Sequence, residues 1–223
     1  MGVPTAKAFL NLGGMPLVVY SLRTLGRVST VTSMVLVVSA DQETHASDIV
    51  HDHGPWSFPI QLVRGGAERQ DSVAAGLEAV EADAALVLVH DAARPFVSLN
   101  CVQACADVAA THGAAIAAVA AYDTVKLADS DLVIVDTLDR RRIWLAQTPQ
   151  VFRSTLLREA YAQARRDGFA GTDDAALVER LGHPVRIVPG ELTNRKITTA
   201  DDLRWAEWYL QTHNHRTAGA QQP

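Results

Sequence analysis

The stretch VLVHDAARP sets an acid, two alanines and an arginine directly after an apolar run, at Asp91, Ala92, Ala93 and Arg94. A carboxylate at the carboxyl end of a strand can hold Mg²⁺, which takes oxygen ligands shared with substrate phosphates. The alanines leave room for a nucleotide to lie against the backbone. A structural role fits the same residues, with Asp91 capping the loop and Arg94 paired to it, and residue chemistry leaves both readings open. The stretch GGAERQDS, from Gly65 to Ser72, is a second candidate. Glycines ahead of a helix can present backbone N–H groups to a phosphate. There is no GxxxxGK, so this is not a P-loop, and a plain strand-to-helix turn is the simpler account. Lys196 stands just before a helical pattern, and with Lys7 it could bracket a phosphate. His51/His53 and His213/His215 are His-x-His pairs that invite a metal reading, although the first pair sits among polar residues and the second near the end of the chain.

Positioning these groups falls to alternating strand and helix patterns. SMVLVVSA, IQLVRGG, AALVLVHDAARP and AAIAAVAAYDTV read as buried strands. DQETHASDIVHDH, ERQDSVAAGLEAVEA and a segment capped by Ser98 read as helices between them. Continuous apolar strands separated by helices imply a parallel sheet covered on both faces. From Ala121 the pattern alternates, with a turn at Asp129 to Asp131, which reads as a β-hairpin or arm leaving the body. Helical patterns resume at Ser154, and TDDAALVERLG and TTADDLRWAEWYL open with threonine and carboxylates as helix N-termini prefer. HPVRIVPG between them is a further strand. Thr199 with Asp202 has the spacing of a capping box.

The chain has 223 residues, of which 48% are hydrophobic, enough for one domain with a sizeable core. A formal net charge of −5, with no dense Lys/Arg stripe, argues against nucleic-acid binding. No apolar run approaches the roughly 20 residues of a membrane span. Cys101 and Cys105 are poorly spaced for a disulfide and read as reduced, half-buried thiols of a cytoplasmic protein.

Taken in order, VHDAARPFV, GGAERQDSVAAGL, DTVK, AQTPQVF, TDDAALVE and KITTADDL resemble the 2-C-methyl-D-erythritol 4-phosphate cytidylyltransferase family over residues 2–210. The resemblance implies an α/β fold: a Rossmann-like nucleotidyltransferase core with a mostly parallel sheet and a protruding β-arm. It implies one nucleotidyltransferase domain with a dimerisation arm at 121–143 and a frayed tail at 214–223. The implied reaction moves a cytidylyl group from CTP to methylerythritol phosphate, with Mg²⁺, in isoprenoid precursor synthesis. The implied partners are those two small molecules and a second copy of the chain through the arm, without nucleic acid or membrane.

Carried over by motif, Asp91 resembles the Mg²⁺-binding acid, and Gly66, Ser72, Ala92 and Ala93 line the nucleotide site with it. Lys7 resembles the lysine that stabilises the pentacovalent transition state. Arg140 and Lys196 resemble the pair that positions methylerythritol phosphate, with the arginine reaching across the dimer. Arg141 and Arg142 compete with Arg140 for that assignment. Thr124, Thr148 and Thr172 complete the acceptor pocket. Ala67 stands where many members have an acid. The related ribitol 5-phosphate cytidylyltransferases usually have a larger residue at the place of Ala93. Met1-Gly2 matches the inside of the family's glycine-rich loop, so an upstream strand, phosphate-binding amides and an arginine are expected to be missing. A non-catalytic nucleotide-binding paralogue is the alternative from another functional class.

Overall fold

The computed structural model describes residues 7–219, with side chains described through His213. The loop reading of Met1-Gly2 and the side chain of His215 lie outside the described residues; of the tail expected to fray at 214–223, residues 214–219 continue the last helix and 220–223 lie outside the described residues. In chain order the strands and α-helices are β1 (Asn11–Leu12), β2 (Met15–Pro16), α1 (Leu17–Leu25), β3 (Met34–Val38), α2 (Glu43–Asp52), β4 (Ile60–Arg64) and α3 (Arg69–Ala79). Then follow β5 (Leu86–Val89), α4 (Leu99–His112), β6 (Ala114–Ala120), β7 (Val125–Ala128), β8 (Ile134–Leu138) and β9 (Trp144–Arg153). The chain continues with α5 (Ser154–Asp167), α6 (Asp174–Arg180), β10 (Arg186–Pro189) and α7 (Ala200–Gly219). Short 3-10 turns occupy Lys7–Phe9, Ala40–Gln42 and Arg140–Arg142. No helix among the described residues is long and apolar enough to cross a membrane.

The described chain groups into two compact units, 7–81 with 91–99 and 193–219, and 82–90 with 100–192. In the first, β3 and β4 pair in parallel, as a strand–helix–strand crossover requires. Phe9, Val18, Val19, Leu22, Leu36, Val38, Ala46 and Ile49 form one core cluster there. Leu12, Leu17, Ile197 and Ala206 form a second. The capping box of α7 is present. Thr199 N–H donates to the Asp202 carboxylate at 2.9 Å, and Asp202 N–H donates to the Thr199 hydroxyl at 3.1 Å.

The second unit holds a four-stranded sheet in the order β10-β6-β9-β5. Three of its four strands share one direction, in line with the expected mostly parallel sheet, and one is reversed. β10 and β6 are parallel, whereas β9 runs antiparallel to both β6 and β5. The reason is topological: β9 returns from the arm and enters the sheet from the opposite end. Cys101 and Cys105 are free and buried more deeply than expected, at 4% and 0% exposure, where α4 packs on β6 and β9. The arm is the antiparallel β7–β8 pair. The Asp129 carboxylate accepts from Asp131 N–H and Val133 N–H to shape its tip.

Candidate active site

Asp91 follows β5 and opens a tight turn, closed by Arg94 N–H on the Asp91 carbonyl at 2.9 Å. The strand ends at Val89, where the apolar run ends, and the polar residues after it form the turn. Two elements of the same unit hold the turn. The Ser21 hydroxyl on α1 lies 3.4 Å from the carbonyls of Ala92 and Arg94. Ile197 N–H donates to the Ala93 carbonyl at 2.8 Å. That second bond docks the segment before α7 onto the turn and brings Lys196 to Asp91.

Lys196 Nζ lies 3.0 Å from Asp91 Oδ2, and Arg94 Nε lies 3.3 Å from the same oxygen. Arg69, the first residue of α3, places Nε 3.9 Å from Oδ1. Arg94 also donates through Nη1 to the Asn194 carbonyl at 2.8 Å. Burial pushes the Asp91 pKa up, but Lys196 foremost, then Arg94 and Arg69, outweigh it and hold the carboxyl below its ordinary value. Asp91 is therefore a carboxylate near neutral pH, facing three cations. Arg94 is locked, with its side chain 12% exposed, whereas those of Arg69 and Lys196 are 37% and 42% exposed and reach solvent. A cluster with surplus positive charge and two solvent-facing cations suits a polyphosphate.

Gly65 and Gly66 have a packing reason. A Cβ on Gly65 would stand 2.6 Å from the Ser72 hydroxyl, and one on Gly66 would stand 2.3 Å from Asp71 Cβ. The strand-to-helix turn lies against the first turn of α3, which Glu68 and Asp71 close as a capping box. Ser72 thus meets Gly65 directly, and Asp71 meets Gly66. Lys7 begins a 3-10 turn with an exposed side chain, and no described hydrogen bond or ion pair joins it to the Asp91 cluster.

The remaining predicted residues lie in the second unit. Thr148 is 4% exposed, and its hydroxyl is 3.0 Å from His90 Nδ1. It occupies a bulge of β9: Ile116 pairs with Gln150 and Ala118 with Ala146, so Ala117 alone faces Gln147, Thr148 and Pro149. Bulges free residues from the ladder and re-aim their side chains. Thr172 is exposed ahead of α6, and Thr124 is exposed ahead of β7. At the base of the arm, Arg140 Nη1 donates to the Tyr122 carbonyl at 2.5 Å. Arg141 is engaged instead by Asp139, at 2.9 Å.

A model of the family "2-C-methyl-D-erythritol 4-phosphate cytidylyltransferase" matches residues 1–212. The chain belongs to this family. The cytidylyltransferase of Syntrophus aciditrophicus is 45% identical over 210 residues, covering 94% of this chain and 90% of that protein. That of Pelotomaculum thermopropionicum is 44% identical over 220 residues, covering 99% and 92%. The crystal structure of the 4-diphosphocytidyl-2C-methyl-D-erythritol synthase of Anaerococcus prevotii superposes with a TM-score of 0.84 at 33% identity, covering 90% of this chain and 88% of that one. The Thermus thermophilus cytidylyltransferase gives 0.78 at 38% identity, covering 92% and 93%. These likenesses carry the α/β nucleotidyltransferase fold as well as the family.

Among the residues assigned by resemblance to this cytidylyltransferase family, the first unit gathers Asp91, Ala92, Ala93 and Lys196 around one turn. Gly66 and Ser72 lie at the start of α3, whose Arg69 joins that group. Arg94 pairs with Asp91 as the structural reading of VHDAARPFV expected, whereas Arg69, inside GGAERQDS, had been given no role. Gln150 and Asp173 had been given no role either. Their signal was available as polar residues inside the motifs AQTPQVF and TDDAALVE.

Proposed function

We propose that this cytidylyltransferase-family enzyme joins CTP and 2-C-methyl-D-erythritol 4-phosphate in isoprenoid precursor synthesis through the Asp91 cluster. The observation that carries this reading is the Lys196–Asp91 contact at 3.0 Å, which unites two motifs far apart in the chain. A phosphate oxygen of the acceptor attacks the α-phosphorus of CTP. The bond from that phosphorus to the oxygen bridging the β-phosphate breaks, and pyrophosphate leaves. Such a displacement needs positioned cations more than covalent chemistry. Arg69 and Lys196 turn from Asp91 toward phosphate oxygens, while Arg94 keeps the turn in shape. Ala92 and Ala93 present a surface without bulk to the nucleotide, with Gly66 and Ser72 beside it. Lys7 offsets charge on the pentacovalent phosphorus.

The donor set at Asp91 fits Mg²⁺. Mg²⁺ is commonly held by one or two carboxylates together with substrate phosphates, and Asp91 is one ionised carboxylate beside a polyphosphate cluster. Asp91 would hold the ion, which when bound supplies charge neutralisation on the phosphates.

Thr124, Thr148, Thr172 and Arg140 take the acceptor, Arg140 acting from the arm of a second copy. The arm supports a homodimer, because Leu127, Leu132, Val133, Ile134 and Val135 are all exposed on it. Two free thiols support a cytoplasmic setting. A pyrophosphate-release assay with CTP and Mg²⁺ tests the function. Methylerythritol phosphate should support turnover and ribitol 5-phosphate should not; turnover with ribitol 5-phosphate alone would reassign the acceptor.

A further inference from the structure

Gln150 is an amide 1% exposed in a strand whose neighbours Val151 and Phe152 are apolar and buried. Such a group is costly to bury unless its hydrogen bonds are made. Its Nε2 donates to Asp173 Oδ2 at 2.8 Å, and its Oε1 accepts from Ala175 N–H at 3.1 Å. The other oxygen of Asp173, Oδ1, accepts from Ala176 N–H at 3.0 Å and caps α6. The Gln150 side chain is thus fastened to the first turn of α6. Asp173 directly follows Thr172, and Gln150 closes the bulge that carries Thr148. Gln147, at the other side of the bulge, donates through Nε2 to the Glu191 carbonyl at 2.9 Å. The bulge has left the β6–β9 ladder, so these side-chain bonds take over the placing of Thr148.

We propose that Gln150 and Asp173 are positioning residues of the acceptor site. Their clamp sets the spacing between the Thr148 and Thr172 hydroxyls that receive the acceptor phosphate. The proposal rests on the reading above, in which those threonines bind the acceptor. A directional amide–carboxylate pair specifies one register between strand and helix, which an apolar pair of equal volume does not.

The test is a hydrogen-bond swap. Gln150→Glu sets two carboxylates against each other, and Asp173→Asn sets two amides. In Gln150→Glu/Asp173→Asn the Asn amide donates to the Glu carboxylate, while the Ala175 and Ala176 N–H groups keep their acceptors. Calorimetry would follow methylerythritol phosphate binding in the presence of α,β-methylene-CTP, with affinity for that analogue alone and melting temperature measured in parallel. Each single variant should weaken acceptor binding by about tenfold, the scale of one charge-assisted hydrogen bond. Analogue affinity should change by less than about twofold, and the double variant should regain most of the loss. Thr148→Ala and Thr172→Ala should weaken acceptor binding as well. If they do and the single Gln150 and Asp173 variants do not, the clamp is refuted and the acceptor site stands. Equal losses for both ligands, tracking the melting temperature, would make the pair merely structural and also refute it. If the unaltered chain does not bind the acceptor, or both threonine variants bind it normally, the functional reading itself fails.

Discussion

Replacing Asp91 by Asn separates the catalytic use of this carboxylate from its structural use. The substitution keeps shape and one acceptor oxygen but removes the charge that Lys196, Arg94 and Arg69 share. Lys196 and Arg69 have more than a third of their side chains in water, so their loss of a partner is cheap, as for surface pairs. Arg94 is different, because its side chain is 12% exposed and its contact with the Asp91 carboxylate is weakened away from bulk water. Losing one charge-assisted hydrogen bond there costs about 2 kcal/mol. For a chain of this size that lowers the melting temperature by roughly 4–8 °C. Turnover should fall much further, by about a hundredfold or more, as when a preorganised electrostatic group is removed. Pyrophosphate release across a Mg²⁺ titration and a melting curve on the same preparations read both numbers. Unchanged turnover at saturating Mg²⁺ would refute the assignment of Asp91 as the metal-holding acid. A melting temperature lowered by much more than that range, with activity lost in proportion, would show that Asp91 serves the turn and not the reaction.

Gly66→Ala forces a Cβ to within 2.3 Å of Asp71 Cβ and should cost about 1–3 kcal/mol by crowding the start of α3. Gly168→Ala, at φ +62° with open space around it, should cost only about 1–2 kcal/mol of backbone strain; melting curves of the two rank them. Asp202 is buried, which raises its pKa, but hydrogen bonds from the backbone and hydroxyls of Thr198 and Thr199 outweigh this and hold it far below the ordinary value. Because the folded pKa is depressed, its stabilisation is present above about pH 4 and drains away as pH falls further; the melting-temperature gap between the parent and Asp202→Asn should shrink on acidification, and a constant gap would contradict the linkage. Val133→Asp/Val135→Asp should shift sedimentation from dimer to monomer, and unchanged sedimentation would remove the arm from the interface. Arg140→Ala mixed with Lys196→Ala should recover part of the turnover that each lacks alone, because one intact site can assemble in a mixed dimer; mixed dimers without recovery would refute the shared site.

The strands β3 to β6 and β10, the helices from α2 onward and the arm were legible because local pattern decides them, whereas β1, β2 and α1 were not read from the sequence. The apolar run at Met34–Val38, the alternation from Val125 to Leu138 and the Thr199–Asp202 cap each state their element within a few residues. β9 was not legible, since the extra residues around Pro149 break its alternation and its apolar half follows the arm without a turn signal. The motifs themselves carried the family and the candidate residues. Tertiary structure alone decided which charges meet. Nothing local places Lys196 on Asp91; the Ile197–Ala93 backbone bond does so. Likewise Gln150 reads as one polar residue in an apolar strand until α6 brings Asp173 and the Ala175 N–H to it. Periodicity reports which face of an element is buried, because burial is a property of one segment against an average interior. Pairing between distant segments depends on chain crossings that no single segment encodes, so the partner of each buried polar group appears only in the folded chain.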